Sequence, residues 1–362
     1  MFFINFGPSQ YGFRPHSSTC NALIALHDHI TSHCDSICTS SLELIAFDFA
    51  KAFDKLDHSI IINRLSACNF PIALIRWLVS YLSHRSQHVS FGNCNSDVAQ
   101  ITSGVPQGSI LGPAIFGLVM GSLKTIFTST GLFIFADDVT ISVPTSPSCN
   151  NLVAEFNNIC SWSSSVKLTI NEKKTQKMFI RRSILSTPTT LPIQIEDKQS
   201  IKLLGVFITS NLKWDFHVNY IRNKCHSRFY AIRVLKPLLS KHDLLNVYCL
   251  FVRSLLEYCS PLFVALNDKN NRVLNSIQNR CHNLICGFGH TCICLEDLQQ
   301  RRHHAALTLY NKSASNSGNT LHQIIPHKIR SKFLQPFSRT SKRFESFIPF
   351  TTALIDNSLS RV

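Results

Sequence analysis

Apolar residues recur with a helical period along much of the chain and cluster in short strand-like runs in a few places. Leu23, Leu26, His27 and Ile30 share one helical face, and Ser17 to Thr19 precede them with hydroxyls able to cap the first turn. Leu42 to Phe47 is a short apolar run that reads as a buried strand, ended by Asp48. From Ala50 the pattern is helical through Phe53, Leu56, Ile60 and Leu65, and it stops before Pro71. The turn-rich segment SGVPQGSILGP, Ser103 to Pro113, reads as a loop feeding a buried helix over Ala114 to Leu123. Gly131 to Ala136 and Val139 to Val143 are two β-rich runs separated by Asp137 and Asp138, which predicts a hairpin with two acids at its tip.

Asn150 to Ser163 carries the helical stripe Leu152, Phe156, Ile159 and Cys160. Short strands are expected at Val166 to Ile170, Met178 to Ile180 and Leu203 to Ile208. Three further helical stripes follow: Ile221, Cys225, Phe229, Ile232; Leu244, Tyr248, Phe251, Leu255; and Val273, Ile277, Cys281, Leu284. Helices of this kind pack as a small bundle. Beyond about residue 300 the chain turns basic and polar, and SASNSGN at 313–319 reads as a flexible segment. No internal repeat is visible.

The 362 residues are 44% hydrophobic and 16% charged, enough apolar material for two or three domains and too much for a disordered chain. The apolar stretch Tyr248 to Leu266 is interrupted by Arg253 and Glu257, so no membrane span is expected, and the first ten residues do not read as a secretory signal. Fourteen irregularly spaced cysteines fit reduced thiols and an intracellular protein of nucleus or cytoplasm. Residues 1–180 hold 11 Lys or Arg against 11 Asp or Glu, whereas 181–362 hold 25 against 10. The whole surplus of 15 therefore lies in the second half, which suggests chemistry in one half and a polyanion grip in the other; basic, solvated helices without a partner are the plainer reading.

Asp137 and Asp138 sit between apolar strand residues, where two like charges are unfavourable without a neutralising partner. A hard divalent cation is such a partner, and Asp48 leaves another apolar strand with the same need. If that strand lies beside the hairpin, the three carboxylates reach one point and can hold two Mg²⁺ about 4 Å apart, a pair suited to in-line attack on a phosphate. An ordinary Asp-rich turn is the alternative for the two adjacent acids alone.

Six segments then form an ordered set: QYGFR (Gln10 to Arg14), FDFAKAFDKLDH (Phe47 to His58), SGVPQGSILGP, FADD (Phe135 to Asp138), NEKKT (Asn171 to Thr175) and LLGV (Leu203 to Val206). In order and spacing they resemble the reverse transcriptase family, closest to the jockey-like branch of non-LTR retrotransposons, over roughly residues 8–290. Family members carry a further fingers segment before QYGFR, and often an endonuclease domain ahead of that. The chain therefore reads as an N-terminally truncated member.

The resemblance implies an α+β right-hand polymerase, with a palm built on an antiparallel sheet, partial fingers and a helical thumb. It implies partial fingers at 1–40, a palm at 41–212 with inserted fingers helices at about 55–100, a thumb at 213–300 and a basic C-terminal extension at 301–362. Asp48, Asp137 and Asp138 resemble the metal-binding catalytic triad. Phe53 resembles the bulky gate that rejects a ribose 2′-OH, with a core-facing phenyl as the alternative. Gln107 resembles the residue beside the incoming nucleotide and template base, with Gly104 and Gly108 allowing close backbone approach.

Arg14 resembles a triphosphate-binding arginine, and Lys174 resembles a lysine that protonates the pyrophosphate leaving group; a surface arginine and a solvated lysine are the plainer readings. Leu204 and Gly205 resemble the primer grip, though a core hairpin explains them equally. Arg222, Lys224, Arg228 and Arg233 resemble a thumb face for duplex phosphates.

The implied activity is RNA-directed DNA polymerisation, with Mg²⁺ (two ions, Mn²⁺ as a substitute), an RNA template, a DNA primer and dNTPs as partners, and no membrane. The competing class is a catalytically inactive, truncated nucleic-acid-binding remnant. Cys281, Cys286, Cys292, Cys294, His303 and His304 invite a zinc reading, but the irregular C-x4-C-x5-C-x-C spacing favours structural cysteines.

Overall fold

The computed structural model describes residues 6–146, 151–287, 295–326, 328–329 and 332–359. In chain order the elements begin with α1 (Thr19–Asp35), β1 (Ser41–Phe47), α2 (Ala52–Lys55), α3 (His58–Ala67) and α4 (Ile72–Leu82). Four short strands follow, β2 (Arg85–Gln87), β3 (Ser90–Phe91), β4 (Cys94–Asn95) and β5 (Ala99–Ile101), and then α5 (Leu111–Met120). Next come β6 (Gly131–Phe135), β7 (Asp138–Thr145), α6 (Leu152–Ser165), β8 (Gln176–Arg181), β9 (Ser200–Leu203) and β10 (Val206–Thr209). The remainder is α7 (Asp215–Leu235), α8 (Lys241–Val247), α9 (Ser254–Glu257), α10 (Asp268–Cys286), α11 (Leu298–Ser315), β11 (Lys328–Ile329), β12 (Lys332–Phe333), α12 (Ser341–Phe344) and α13 (Phe347–Leu359).

These elements form two compact units. One comprises Met1–Ser18, Ser40–Phe179 and Ser183–Asp197, and the other Thr19–Thr39, Ile180–Arg182 and Lys198–Val362. The first unit is built on a four-stranded sheet of order β6-β7-β1-β8, in which β6/β7 and β7/β1 are antiparallel. This is the α+β class expected from the sequence. Apolar residues of β1, β6 and β7 alternate onto a core shared with α3, α4, α5 and α6, where Phe47 stacks on Phe156 at 5.9 Å. The expected strand at 166–170 does not form; Ile170 only bridges Phe49. The single helix expected from Ala50 to Leu65 is broken, and Asp57 caps α3 by accepting a 2.8 Å bond from the Ser59 N–H.

One charge inside β1 is invisible to apolar patterning. Glu43 is fully buried, and its carboxylate meets the Lys177 ammonium at 3.1 Å and accepts the Thr189 N–H at 3.1 Å. Lys177 also lies 3.6 Å from Asp197, so the loop 183–197 is tied down across the sheet by ionic and backbone bonds together.

The second unit departs from the expected division in two ways. Helix α1 packs here, against the 3₁₀ turn Ser260–Phe263 and against α12, rather than standing with the first residues as a separate piece. The Asp28 carboxylate pairs with Arg343, and Asp35 accepts the N–H groups of Arg339 (2.9 Å) and Thr340 (2.7 Å). Residues beyond 300 are therefore part of the packed unit, with Tyr310, Phe347 and Ile348 buried. Segment 313–319 is ordered: Ser313 is buried at the end of α11, and Asn319 accepts a 3.1 Å bond from the Asn21 amide.

Helices α7, α8, α9 and α10 pack on one another. Within this group a π-helical turn, Tyr248–Arg253, shifts the buried stripe by one residue, so Val252 and Leu256 are buried where Phe251 and Leu255 were expected. One i→i+5 turn inserts one extra residue, which rotates everything after it. In α10 the buried stripe runs through Leu274, Ile277, Cys281 and Ile285, about one residue off the expected line at both ends.

Cys281 is a buried thiol and Cys286 is disulfide-bonded, while Cys292 and Cys294 lie outside the described residues. Among the described residues no His, Cys, Asp or Glu group is arranged to hold zinc. No described helix is long and apolar enough to cross a membrane.

Two stability effects follow. Lys177→Met should strand the Glu43 carboxylate in the core and cost about 3–5 kcal/mol, with partial recovery in the Glu43→Gln, Lys177→Met double variant, read by denaturant unfolding. In the second unit His27 and His217 are buried beside Trp214 and Phe263, and burial pushes each pKa down to about 4 from 6.5, helped for His27 by the Arg343 charge.

Between those values the unfolded chain binds protons that the folded chain refuses. The stability contribution is therefore complete above pH 6.5 and is lost as pH falls to about 4. The loss is on the order of 3 kcal/mol per ring. His27→Phe should flatten the dependence of unfolding free energy on pH across that window.

Candidate active site

Strand register decides where the acids stand. In the β7/β1 ladder Val139 is opposite Phe47, so Asp48 leaves β1 at the end where Asp138 starts β7. In the β6/β7 ladder Phe135 pairs with Asp138, leaving Ala136 and Asp137 as a two-residue turn in which Ala136 takes φ 57°. Three carboxylates therefore collect at one end of two neighbouring strands. Residues directly opposite on an antiparallel pair are about 4.5–5.5 Å apart at Cα and point to the same face.

Electrostatics reports the crowding. Asp138 has its side chain at the solvent boundary, yet partial desolvation by the surrounding strands, then the Asp137 and Asp48 carboxylates, push its pKa up to about 6. The donor set is all hard oxygen, and among the described residues no ion pair neutralises it, which suits a hard divalent cation. The side chains are not drawn together as a ready ligand cluster: among the described residues no three such groups are. The fit therefore rests on donor chemistry and register.

Asp48 is held by the NEKKT segment. Its N–H donates to Thr175 Oγ at 3.4 Å and its carbonyl accepts the Asn171 N–H at 2.7 Å, while Thr175 Oγ donates back to the Asn171 carbonyl at 2.9 Å. Lys174 lies in that turn with its side chain exposed. Apolar patterning passes over Thr175; its place in the Asn-x-x-Lys-Thr pattern was the available signal.

The hairpin is held from the other side by QYGFR. Tyr11 N–H donates to the Ile134 carbonyl at 2.8 Å, the Ile134 N–H donates to Ser9 at 2.9 Å, and Gln10 bridges Ile134 in parallel fashion. Gly12 then runs so close to the tip that a Cβ on it would lie 2.5 Å from the Ala136 nitrogen. No side chain fits there, which accounts for a glycine between two aromatics. Arg14, two residues on, is half-buried and donates to the Gly7 carbonyl at 3.1 Å. Burial pushes the Tyr11 pKa up to about 12 against the opposing Arg14 charge.

Phe53 and the VPQG loop form a second assembly. Phe53 stacks on Phe116 at 4.1 Å and meets the edge of Phe13 at 6.3 Å, so it is half in the core, and both readings of its role stay compatible with its position. Val105 N–H donates to the Phe53 carbonyl at 2.9 Å, and Gln107 donates to the Asp54 carboxylate at 2.7 Å. Gly104 has φ 84°, and a Cβ there would meet the Asp54 carbonyl at 2.6 Å. The close approach that Gly104 permits within the chain is thus to α2. Gly108 has φ 78° with open space beside it.

Leu204 and Gly205 belong to the second unit, where they form the two-residue turn of the β9/β10 hairpin with φ 46° and 88°. Tyr258 Oη donates to the Leu204 carbonyl at 2.7 Å. On α7, Arg222, Lys224 and Arg233 are exposed and Arg228 is half-buried.

Residues 2–208 match the family described as reverse transcriptase (RNA-dependent DNA polymerase). That is more than half of the 362 residues, and the chain belongs to this family. It is 28% identical over 242 residues to a probable RNA-directed DNA polymerase from transposon BS of Drosophila melanogaster, covering 62% of this chain and 26% of the relative. It is 25% identical over 297 residues to that from transposon X-element of the same species, covering 77% and 32%. To the RNA-directed DNA polymerase from mobile element jockey of Drosophila melanogaster it is 24% identical over 226 residues, covering 59% and 24%. The chain spans about a quarter to a third of the length of these relatives.

Gly12→Ala tests the backbone contact. The added methyl should displace the turn at Ala136, lower stability by about 1–3 kcal/mol and speed amide hydrogen exchange at Asp137 and Asp138 beyond what the global loss explains. Unchanged exchange at the turn would mean that Gly12 does not hold the acids.

Proposed function

We propose that the chain adds deoxynucleotides to a DNA primer 3′-OH while copying RNA, at the site formed by Asp48, Asp137 and Asp138. The observation that carries this reading is the ladder register that gathers three carboxylates at one sheet end in a member of the reverse transcriptase family. Mg²⁺, as two ions or with Mn²⁺ in its place, would be held by these three residues and would supply a lowered pKa for the primer hydroxyl and charge stabilisation at the leaving oxygen.

The remaining parts are the chain's own. The primer 3′-hydroxyl gives its proton to solvent and its oxygen forms the bond to the α-phosphorus as the bond from that phosphorus to the α–β bridging oxygen breaks and pyrophosphate leaves. The Arg14 guanidinium is suited to the triphosphate, and the Lys174 ammonium can give its proton to the departing oxygen. Phe53 offers a 2′-OH no hydrogen-bond partner, so a ribonucleotide is disfavoured. Gln107 and Gly108 would line the space for the incoming base and the template, and the Leu204–Gly205 turn would support the primer end. Arg222, Lys224, Arg228 and Arg233 offer sequence-independent contacts to phosphates.

Primer extension on an RNA template with dNTPs tests the reading. Asp48→Asn or Asp137→Asn should lower incorporation on the order of a hundredfold or more, and a chelator should stop it. Salt-sensitive nucleic-acid binding with no incorporation by the native chain would instead identify an inactive remnant. Phe53→Ala should raise the use of ribonucleotides relative to deoxynucleotides by about tenfold or more; no change would place Phe53 in the core only.

A further inference from the structure

Between Asp57 and Asp97 the sequence contains no acidic residue, while Arg64, Arg76, Arg85 and three histidines fall within that stretch. Helix α4 lies in it. Its buried side is made by Ile75, Leu78 and Leu82, which leaves Trp77 on the outer side, 52% exposed. Residues four apart on a helix are neighbours, and the rings of Trp77 and Tyr81 are nearly parallel, 12° apart with centroids at 5.8 Å. The chain turns at His84, φ 53°, and the Arg85 guanidinium then lies over the Tyr81 ring, 5.5 Å from its centroid. Three flat π groups thus follow one another along a narrow line.

Arg85 also opens onto a pocket of about 550 Å³ lined by Asp54, Ser86, Gln87, Ile101 and Gln107. The Asp54 carboxylate is taken up by the Gln107 amide at 2.7 Å, and among the described residues Arg85 has no carboxylate partner. The line of rings therefore leads to the loop that carries Gln107. An exposed Trp77 ring, the half-buried Tyr81 ring beside it and an arginine with no carboxylate partner among the described residues, with no acid over this stretch, fit a flexible polyanion whose bases can stack. An acidic protein surface would satisfy the cations without using the parallel rings.

We propose that Trp77, Tyr81 and Arg85 form a stacking platform for single-stranded RNA, with bases against the two rings and a phosphate at the guanidinium. Naming that strand as the unpaired template approaching Gln107 rests on the polymerase reading above; the binding itself does not require catalysis.

The test is fluorescence anisotropy of the full chain with a labelled single-stranded uridine oligomer of about 12 nucleotides and, separately, a blunt-ended RNA duplex. The Trp77→Ala, Tyr81→Ala double variant should bind the oligomer about tenfold more weakly and the duplex as the native chain does. Trp77→Phe with Tyr81→Phe should restore single-strand binding, because a π face is what is required. Trp77→Ala alone, at an exposed position, provides the same comparison if the double variant unfolds.

Unchanged oligomer binding by the alanine variants, or an equal loss for the blunt duplex, would overturn the platform. So would a shift in sedimentation on substitution with RNA binding unaltered, which would give the face to a protein partner. Primer extension by the native chain is scored independently: its failure removes the polymerase reading and leaves the anisotropy result to decide the platform.

Discussion

Three like charges gathered at one end of a small sheet repel one another, and the surrounding architecture opposes that repulsion with backbone bonds. The β7/β1 register sets which residues face each other. Asn171 and Thr175 fasten the backbone of Asp48, while Ser9, Tyr11 and the bare α-carbon of Gly12 confine the hairpin that carries Asp137 and Asp138. Main-chain contacts do this well because they cannot swing away when the carboxylates push apart. The raised proton affinity of Asp138 comes first from its partial desolvation among the strands and then from the Asp137 and Asp48 charges that the scaffold holds beside it.

Much of this was legible in the residues. The hairpin with acids at its tip, the strand ending at Asp48 and the helix before it all carry local signals: β-rich runs, a break in polarity, a helical period. What escaped were features set by distant partners. Glu43 reads as an interruption in an apolar run and is tolerated only because Lys177 and Thr189 arrive from more than 130 residues away. Gly12 looks like an ordinary turn glycine, and Gly104 was read only as a place for close backbone approach; the neighbouring main chain shows that each leaves no room for a side chain.

Periodicity also misplaced the stripes of the second unit, since a π-helical turn changes phase without any residue that announces it. The polar tail beyond residue 300 was misjudged for a related reason. Its buried apolar groups, among them Tyr310, Leu321, Ile325, Phe333, Phe347 and Ile348, are divided among several short elements rather than one long stripe, and the Asp28–Arg343 pair and the Asp35 carboxylate bind the chain back to α1. Surplus positive charge is thus carried on an ordered scaffold, where a cation costs less entropy to present to a polyanion than on a loose tail.

The segment Ser9–Tyr11 has another effect. By bonding to Ile134 it occupies the outer rim of β6, and on the opposite rim the Lys177–Asp197 bridge occupies part of β8. An unguarded outer strand is a template for pairing with a foreign chain. Both borders of this sheet are instead blunted by short stretches of its own polypeptide, so the assembly that gathers the acids also discourages self-association into extended β aggregates.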